Sequence, residues 1–334
     1  MDVLTRLEVL PGHAQVTASR LLEADLKGRT GHGIIRVPQY VKRIEAGGIN
    51  LRPTIEKTRS TPVSCLVDGD NGLGQVVMTT AVETAIDKAS DIGMGWVGTF
   101  HSNHAGAAGV YTGMAMKHDL IAIYMAVASA NVMPPWGGQE RLLGTNPISI
   151  AIPAGDEPGF LLDIATTVTS HGTIKVVAQR GESMPEGWVI DRDGNPITDP
   201  NEANDGYLMP IGGYKGAGLN MAIGLLAGML NGAAFGADVI DHREVPDQPA
   251  NTGQAIFVMR PDLFRDLDDF KADVDRQLEE MRAAGEPGAV HIPGDAAARL
   301  EEEQRRDGIP IPDVLLAELQ TLGERYGVED RLSG

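Results

Sequence analysis

The sequence predicts an α/β enzyme, on three observations. Short apolar runs of strand length (Leu120 to Ala128, Ile148 to Ile152 and the run from Phe160) alternate with helix-length stretches such as Gln75 to Ala89 and Leu219 to Leu230. A strand beginning at Trp96 leads through a polar turn holding His101, Asn103 and His104 into a small-residue helix, Ala107 to Lys117. Two imidazoles are thereby placed at the mouth of a sheet, where α/β enzymes keep their chemistry. Finally, Pro210-Ile-Gly-Gly-Tyr-Lys215-Gly-Ala-Gly218 opens another helix, and such a turn offers N–H groups and a cation to an anion, or is simply a tight helix entry.

Composition narrows the function. With a net charge of −18 over 334 residues and no local basic patch, the chain is expected to bind neither nucleic acid nor an anionic membrane. No apolar run reaches membrane-spanning length and the first residues lack the basic-apolar-small order of a signal peptide, so the expected location is cytoplasmic. Cys65, the single cysteine, lies in the apolar run Val63 to Val67 and is expected to be a buried, inert thiol; a disulfide within the chain and a multi-cysteine zinc site are excluded on count.

Taken in order, Leu7 to Ala24 suits a helix with Gly28 as its stop. Thr30-Gly-His32-Gly-Ile-Ile-Arg36-Val-Pro38-Gln-Tyr40 follows, with His32 between two glycines. If a helix begins there, His32 and Arg36 stand four apart on one face and could meet one substrate, the guanidinium fork matching a carboxylate. The plainer alternative is a glycine-rich turn with a capping histidine and a surface arginine. Cys65 to Gly74 reads as a strand ending in a tight turn, and Gln75 to Ala89 as an amphipathic helix. Gly93-Met-Gly95-Trp-Val-Gly98 matches the dinucleotide fingerprint letter for letter, but it follows a helix and feeds a strand, the reverse of the required context, so no Rossmann site is inferred. For His101 and His104, the roles of acid, base, metal ligand and turn cap all stand open. Asp163 sits in an otherwise buried strand and needs a donor or ligand there. Asp191 to Asn195 is a β-turn rather than a calcium loop, because Pro196 stands where the loop glycine belongs. The Lys215 turn is not a Walker loop, since Gly and not Ser or Thr follows the lysine. From Arg260-Pro261 onward the chain is a charged helical appendage: Leu263 to Ala284, an acidic helix to Arg306, a Gly-Pro break and a last helix through Leu322.

Across nearly the whole chain, the motifs Gly31-His-Gly-x-x-Arg36-x-Pro38-x-Tyr40, Val67-Asp-Gly-Asp-Asn-Gly-Leu-Gly-Gln75, Ser102-Asn-His104-x-Gly, Pro135-Trp-Gly-Gly138, Leu143-Gly-Thr-Asn-Pro147, Asp163-x-Ala-Thr and Gly212-Gly-x-Lys-Gly216 resemble the type-2 malate/L-lactate dehydrogenases. That family includes ureidoglycolate and sulfolactate dehydrogenases and diketogulonate and piperideine-2-carboxylate reductases. The resemblance implies a large mixed β-sheet with a non-Rossmann nicotinamide-binding site, and a helical module from both chain ends (residues 1–50 and 261–334) beside a cofactor-binding domain (51–260). It implies a homodimer with active sites near its interface, NAD or NADP as cofactor, and no metal. The implied substrate is a small 2-hydroxy or 2-keto acid, with a cyclic imine or ureidoglycolate-type compound as the alternative. On matching positions it implies catalysis by His32 and His104, substrate contacts from Arg36, Asn103 and Thr145, and cofactor contacts from Ser129, Asp163, Ile164, Ala165, Lys215, Gly216 and Gly294. His32, with an arginine four residues away, is favoured over His104 as the proton exchanger. The chain departs from many members in having Thr30-Gly31 for Asp-Ser, Ala105 for Phe, and His171-Gly172-Thr173 for Arg-Gly-Lys. Two rival classes are a catalytically silent nucleotide-binding homologue and a metal-dependent hydrolase using His101, His104 and Asp163.

Overall fold

A computed structural model describes residues 1–329. In chain order, α1 (Asp2–Arg6), α2 (Pro11–Leu26) and α3 (Val37–Glu45) precede β1 (Glu56–Ser60), β2 (Ser64–Asp68), α4 (Gly74–Ile92), β3 (Met94–Ser102), α5 (Ala108–Met116) and β4 (Ile121–Ala126). Next come β5 (Ile148–Ile152), β6 (Phe160–Ile164), α6 (His171–Gln179), a two-stranded ribbon of β7 (Val189–Ile190) and β8 (Tyr207–Leu208), α7 (Tyr214–Ala227), β9 (Thr252–Met259), α8 (Leu267–Arg282), α9 (Asp295–Asp307) and α10 (Asp313–Arg325).

The main sheet is mixed and has seven strands in the order β1-β2-β3-β9-β4-β5-β6, with β2 and β3 parallel and the other neighbours antiparallel. Alternate residues of β4 sort the two faces. Ala122, Tyr124 and Ala126 join the core under α4 and α5, whereas Met125 packs with Val127, Ile223 and Ala227 beneath α7. Central β9 is an almost continuously buried run, without the polar alternation that marks a half-exposed strand in the sequence. The glycines of the apparent fingerprint have other work. Gly93 ends α4 in the left-handed region (φ 103°), and Gly98 leaves the space that the Asn231 side chain fills, a Cβ there lying 2.0 Å from Asn231 Oδ1.

Helices from both chain ends meet. Leu300 of α9 packs on Gly28, Lys27 lies 3.9 Å from Glu301, and Arg325 of α10 pairs with Glu45 of α3 at 2.5 Å. Asp275 of α8 accepts the N–H groups of Gly155, Asp156 and Glu157, tying that helix to the β5–β6 turn.

Candidate active site at the end of β3

No α-helix runs through His32 and Arg36. Two 3-10 turns, Thr30–His32 and Ile34–Arg36, are separated by Gly33, and α3 starts only at Val37 with Pro38 in its first turn. Buried Asp25 explains the break. Its carboxylate accepts the Ile34 N–H at 2.7 Å, and a Cβ on Gly33 would lie 1.8 Å from Asp25 Oδ1. Burial pushes the Asp25 carboxyl up to about 6 against the opposing Ile34 hydrogen bond. Gly33→Ala should therefore cost about 2–4 kcal/mol, by overpacking and by loss of a charged hydrogen bond. Urea midpoints at an unchanged slope measure this; a change below about 0.5 kcal/mol would mean that Asp25 does not fix the loop.

The other half of the site comes from β3. Its pairing with β9 becomes irregular between Thr99 and Ser102, and the strand bends into the turn carrying Asn103 and His104. His32 and His104 stack, with ring centroids 5.7 Å apart and planes 14° apart. His242, which the sequence reading missed, meets His104 edge-on at 5.8 Å. Tyr40 Oη lies 2.8 Å from His104 Nδ1, and Gln75 donates to the same hydroxyl at 2.7 Å. His32 and His104 each keep part of their surface open although protein surrounds them densely.

The cluster is positive and short of anions. Burial, then Arg36 and Arg29, brings His32 down to about 4; burial, then Arg36 and its histidine neighbours, holds His104 well below the ordinary imidazole value. Burial likewise lowers His242 to about 3. Arg36 donates through Nε to Gly31 O (2.7 Å) and through Nη1 to Gln39 (3.1 Å), and makes no ion pair among the described residues. Buried Arg43 likewise binds neutral acceptors: Asn103 Oδ1 (2.6 Å), Gly48 O (2.9 Å) and Gln248 O (2.7 Å).

Two expected placements need correction. Asn103 is only 2% exposed and its amide is spent on protein, Oδ1 on Arg43 and Nδ2 on Asn71 and Gly72, so its side chain braces the turn instead of offering a group to substrate. His101 turns away from His104 and pairs on the surface with Asp68 at 3.0 Å. Asp163, the third member of the hydrolase triad considered above, finds its donor in Gly109 N–H at 2.9 Å, with Arg29 at 3.8 Å; burial raises its carboxyl against both.

The expected cofactor segments are partly brought together. Asn146 accepts the Ala128 N–H beside Ser129 and donates to Asn220, which donates to Gly144 O and Thr166 Oγ1; Thr145 O accepts from Thr166. This buried network joins the Thr145 loop, the strand end Asp163-Ile164-Ala165 and α7. At the start of α7, the first backbone bond runs from Ala217 N–H to Gly213 O (3.1 Å), leaving the N–H groups of Tyr214, Lys215 and Gly216 without backbone partners among the described residues. Gly212, at φ 59°, has open space where a Cβ would be, and Lys215 is exposed and outside every ion pair found among the described residues. That donor set fits a dinucleotide pyrophosphate. Gly294 stands apart, at the start of α9 against Gly159 and Leu161, on the α5 side of β6 with Asp163.

Comparison with known proteins agrees with this architecture. The chain is 39% identical to the malate/(S)-sulfolactate dehydrogenase of Methanothermus fervidus, over 98% of this chain and 96% of that one. It is 33% identical to the NAD(+) ureidoglycolate dehydrogenase of Escherichia coli K12, over 90% and 86%. The solved sulfolactate dehydrogenase of Methanocaldococcus jannaschii superposes with a TM-score of 0.88 at 37% identity, covering 98% of this chain and 94% of that one. The family model described as malate/L-lactate dehydrogenase matches residues 1–320, and the chain belongs to that family.

Proposed function

We propose that the chain transfers a hydride between NAD or NADP and a small 2-hydroxy/2-keto acid, with His32 and His104 at the reacting oxygen and Arg36 on the substrate carboxylate. The observation that carries this reading is the stacked histidine pair beside a guanidinium that has no counter-anion among the described residues. A carboxylate set against Arg36 leaves the neighbouring C–O group to the two imidazoles, and a ring held neutral by burial accepts the hydroxyl proton during oxidation. The nicotinamide, when bound, takes or gives the hydride. Lys215, Gly216 and the Asp163-Ile164-Ala165 strand end would hold the dinucleotide, with Ser129 and Gly294 as further contacts and Thr145 toward the substrate.

We assign the enzyme to the cytoplasm as a homodimer. The outer side of α7 and its continuation expose Tyr214 (64%), Leu225 (54%), Met229 (57%) and Leu230 (64%), an apolar stripe that a second copy would cover. The test of activity is a matrix of malate, lactate, sulfolactate and ureidoglycolate against NAD and NADP, followed by nicotinamide absorbance. No turnover in any combination would overturn the proposal. Lys215→Ala should weaken coenzyme binding roughly tenfold, the scale of one charge-assisted hydrogen bond, and leave substrate KM at saturating coenzyme nearly unchanged. Fluorescence titration showing equal coenzyme affinity would remove Lys215 from the site.

A further inference from the structure

Tyr40 and Gln75 touch the histidine cluster but have no part in the chemistry described so far. Gln75 is fully buried and Tyr40 is 3% exposed, so neither hydroxyl nor amide is traded against water. An amide nitrogen only donates and a phenol carries one proton. With Tyr40 Oη accepting from Gln75 Nε2 at 2.7 Å, its own proton is directed at His104 Nδ1, 2.8 Å away. Nδ1 is then the bare nitrogen, and the proton of the neutral ring is on Nε2. Turning the Gln75 amide over would reverse the chain of donors, but it would bury both of its N–H bonds without an acceptor. The orientation present gives one N–H its acceptor and leaves Oε1 and the second N–H without a partner among the described residues, the lesser cost because one fewer N–H is buried unpaired.

We propose that Tyr40, held by Gln75, is a positioning residue that keeps the proton of neutral His104 on Nε2. This rests on the dehydrogenase reading for its consequence: His104 meets the substrate oxygen only as a hydrogen-bond donor, and the proton leaving the hydroxyl goes to His32. The stacked geometry allows that division, since two parallel rings 5.7 Å apart can present one donor and one acceptor to the same small group.

The experiment is ¹⁵N-histidine NMR of the full chain without ligand, with His104→Gln to assign the signal. The wild type should show the Nε2–H tautomer alone. Tyr40→Phe should show both tautomers and lower kcat roughly fivefold to tenfold, the worth of one neutral hydrogen bond. Gln75→Leu keeps the tyrosine, frees its hydroxyl to rotate and should also mix the tautomers, which keeps the test available where Tyr40→Phe fails to fold. A proton on Nδ1 in the wild type, or a pure Nε2–H form in both variants, overturns the proposal. The expected tautomers in a protein that oxidises no hydroxy acid with either coenzyme would support the lock and overturn the functional reading alone.

Discussion

Replacing His32 with glutamine lowers kcat/KM for hydroxy-acid oxidation by roughly 10²-fold or more, the scale of a lost general base, and removes the acidic limb of the pH profile. The wild-type limb should lie near pH 4 and not near the ordinary imidazole value. Burial, Arg36 and Arg29 all oppose charge on this ring and bring it to about 4, so the base form is present above that pH and is lost as pH falls through it. kcat/KM is the quantity to plot, because it reports groups of the free enzyme. In kcat the limb moves upward, since a bound carboxylate offsets the Arg36 charge that helps keep His32 neutral. A wild-type limb near 6.5 would contradict the environment described for His32. If His32→Gln keeps both rate and limb while His104→Gln loses them, the two histidines exchange roles.

The parts of this site legible in the sequence are those set by local chain geometry. A strand, a polar turn and a small-residue helix can be read from residue order, and β3, His104 and α5 lie where that order placed them. The β5 boundaries are read residue for residue, because a short apolar run is bounded by Pro147 and Pro153. The apparent fingerprint is dismissed by context alone, and Gly93 does cap a helix. What the sequence does not show is contact between distant segments. His242 carries no motif; it enters the cluster because the loop before β9 folds back, Gln248 O accepting from Arg43. Tyr40 and Gln75 stand in quoted motifs, yet their 35-residue separation hides the hydrogen bond that joins them. β9 was missed because a strand buried on both faces loses the polar alternation that marks half-exposed strands. The four-residue spacing of His32 and Arg36 likewise suggested a helix, while Asp25, seven residues upstream of His32, dictates the two separate turns.

Arg36→Lys should raise the KM for the acid substrate roughly 30- to 100-fold while coenzyme affinity stays within about twofold, a loss of about 2–3 kcal/mol at the lower end of the range for breaking a partly buried charge pair. The charge is retained, so the effect tests shape. Arg36 already commits Nε to Gly31 O and shares Nη1 with Gln39, and its remaining N–H bonds stay in a fixed plane for a carboxylate. A lysine ammonium must choose between the backbone oxygen and the substrate, and it offers no parallel pair of donors. Nearby Arg243 cannot take over, because Asp241 holds its Nε at 2.9 Å and its Nη2 at 2.5 Å. Nor is the cation needed for an internal ion pair, since Arg36 has none among the described residues. On the proposed assignment the substrate carboxylate is the anion that Arg36 pairs with, and binding should weaken as that partner loses its fork. Steady-state kinetics over acid concentration at saturating coenzyme, paired with a coenzyme titration, separate the two affinities. A variant with wild-type KM, or one whose loss lies in coenzyme binding, would show that the carboxylate is held elsewhere, with Arg43 and its three neutral acceptors the next cation to examine.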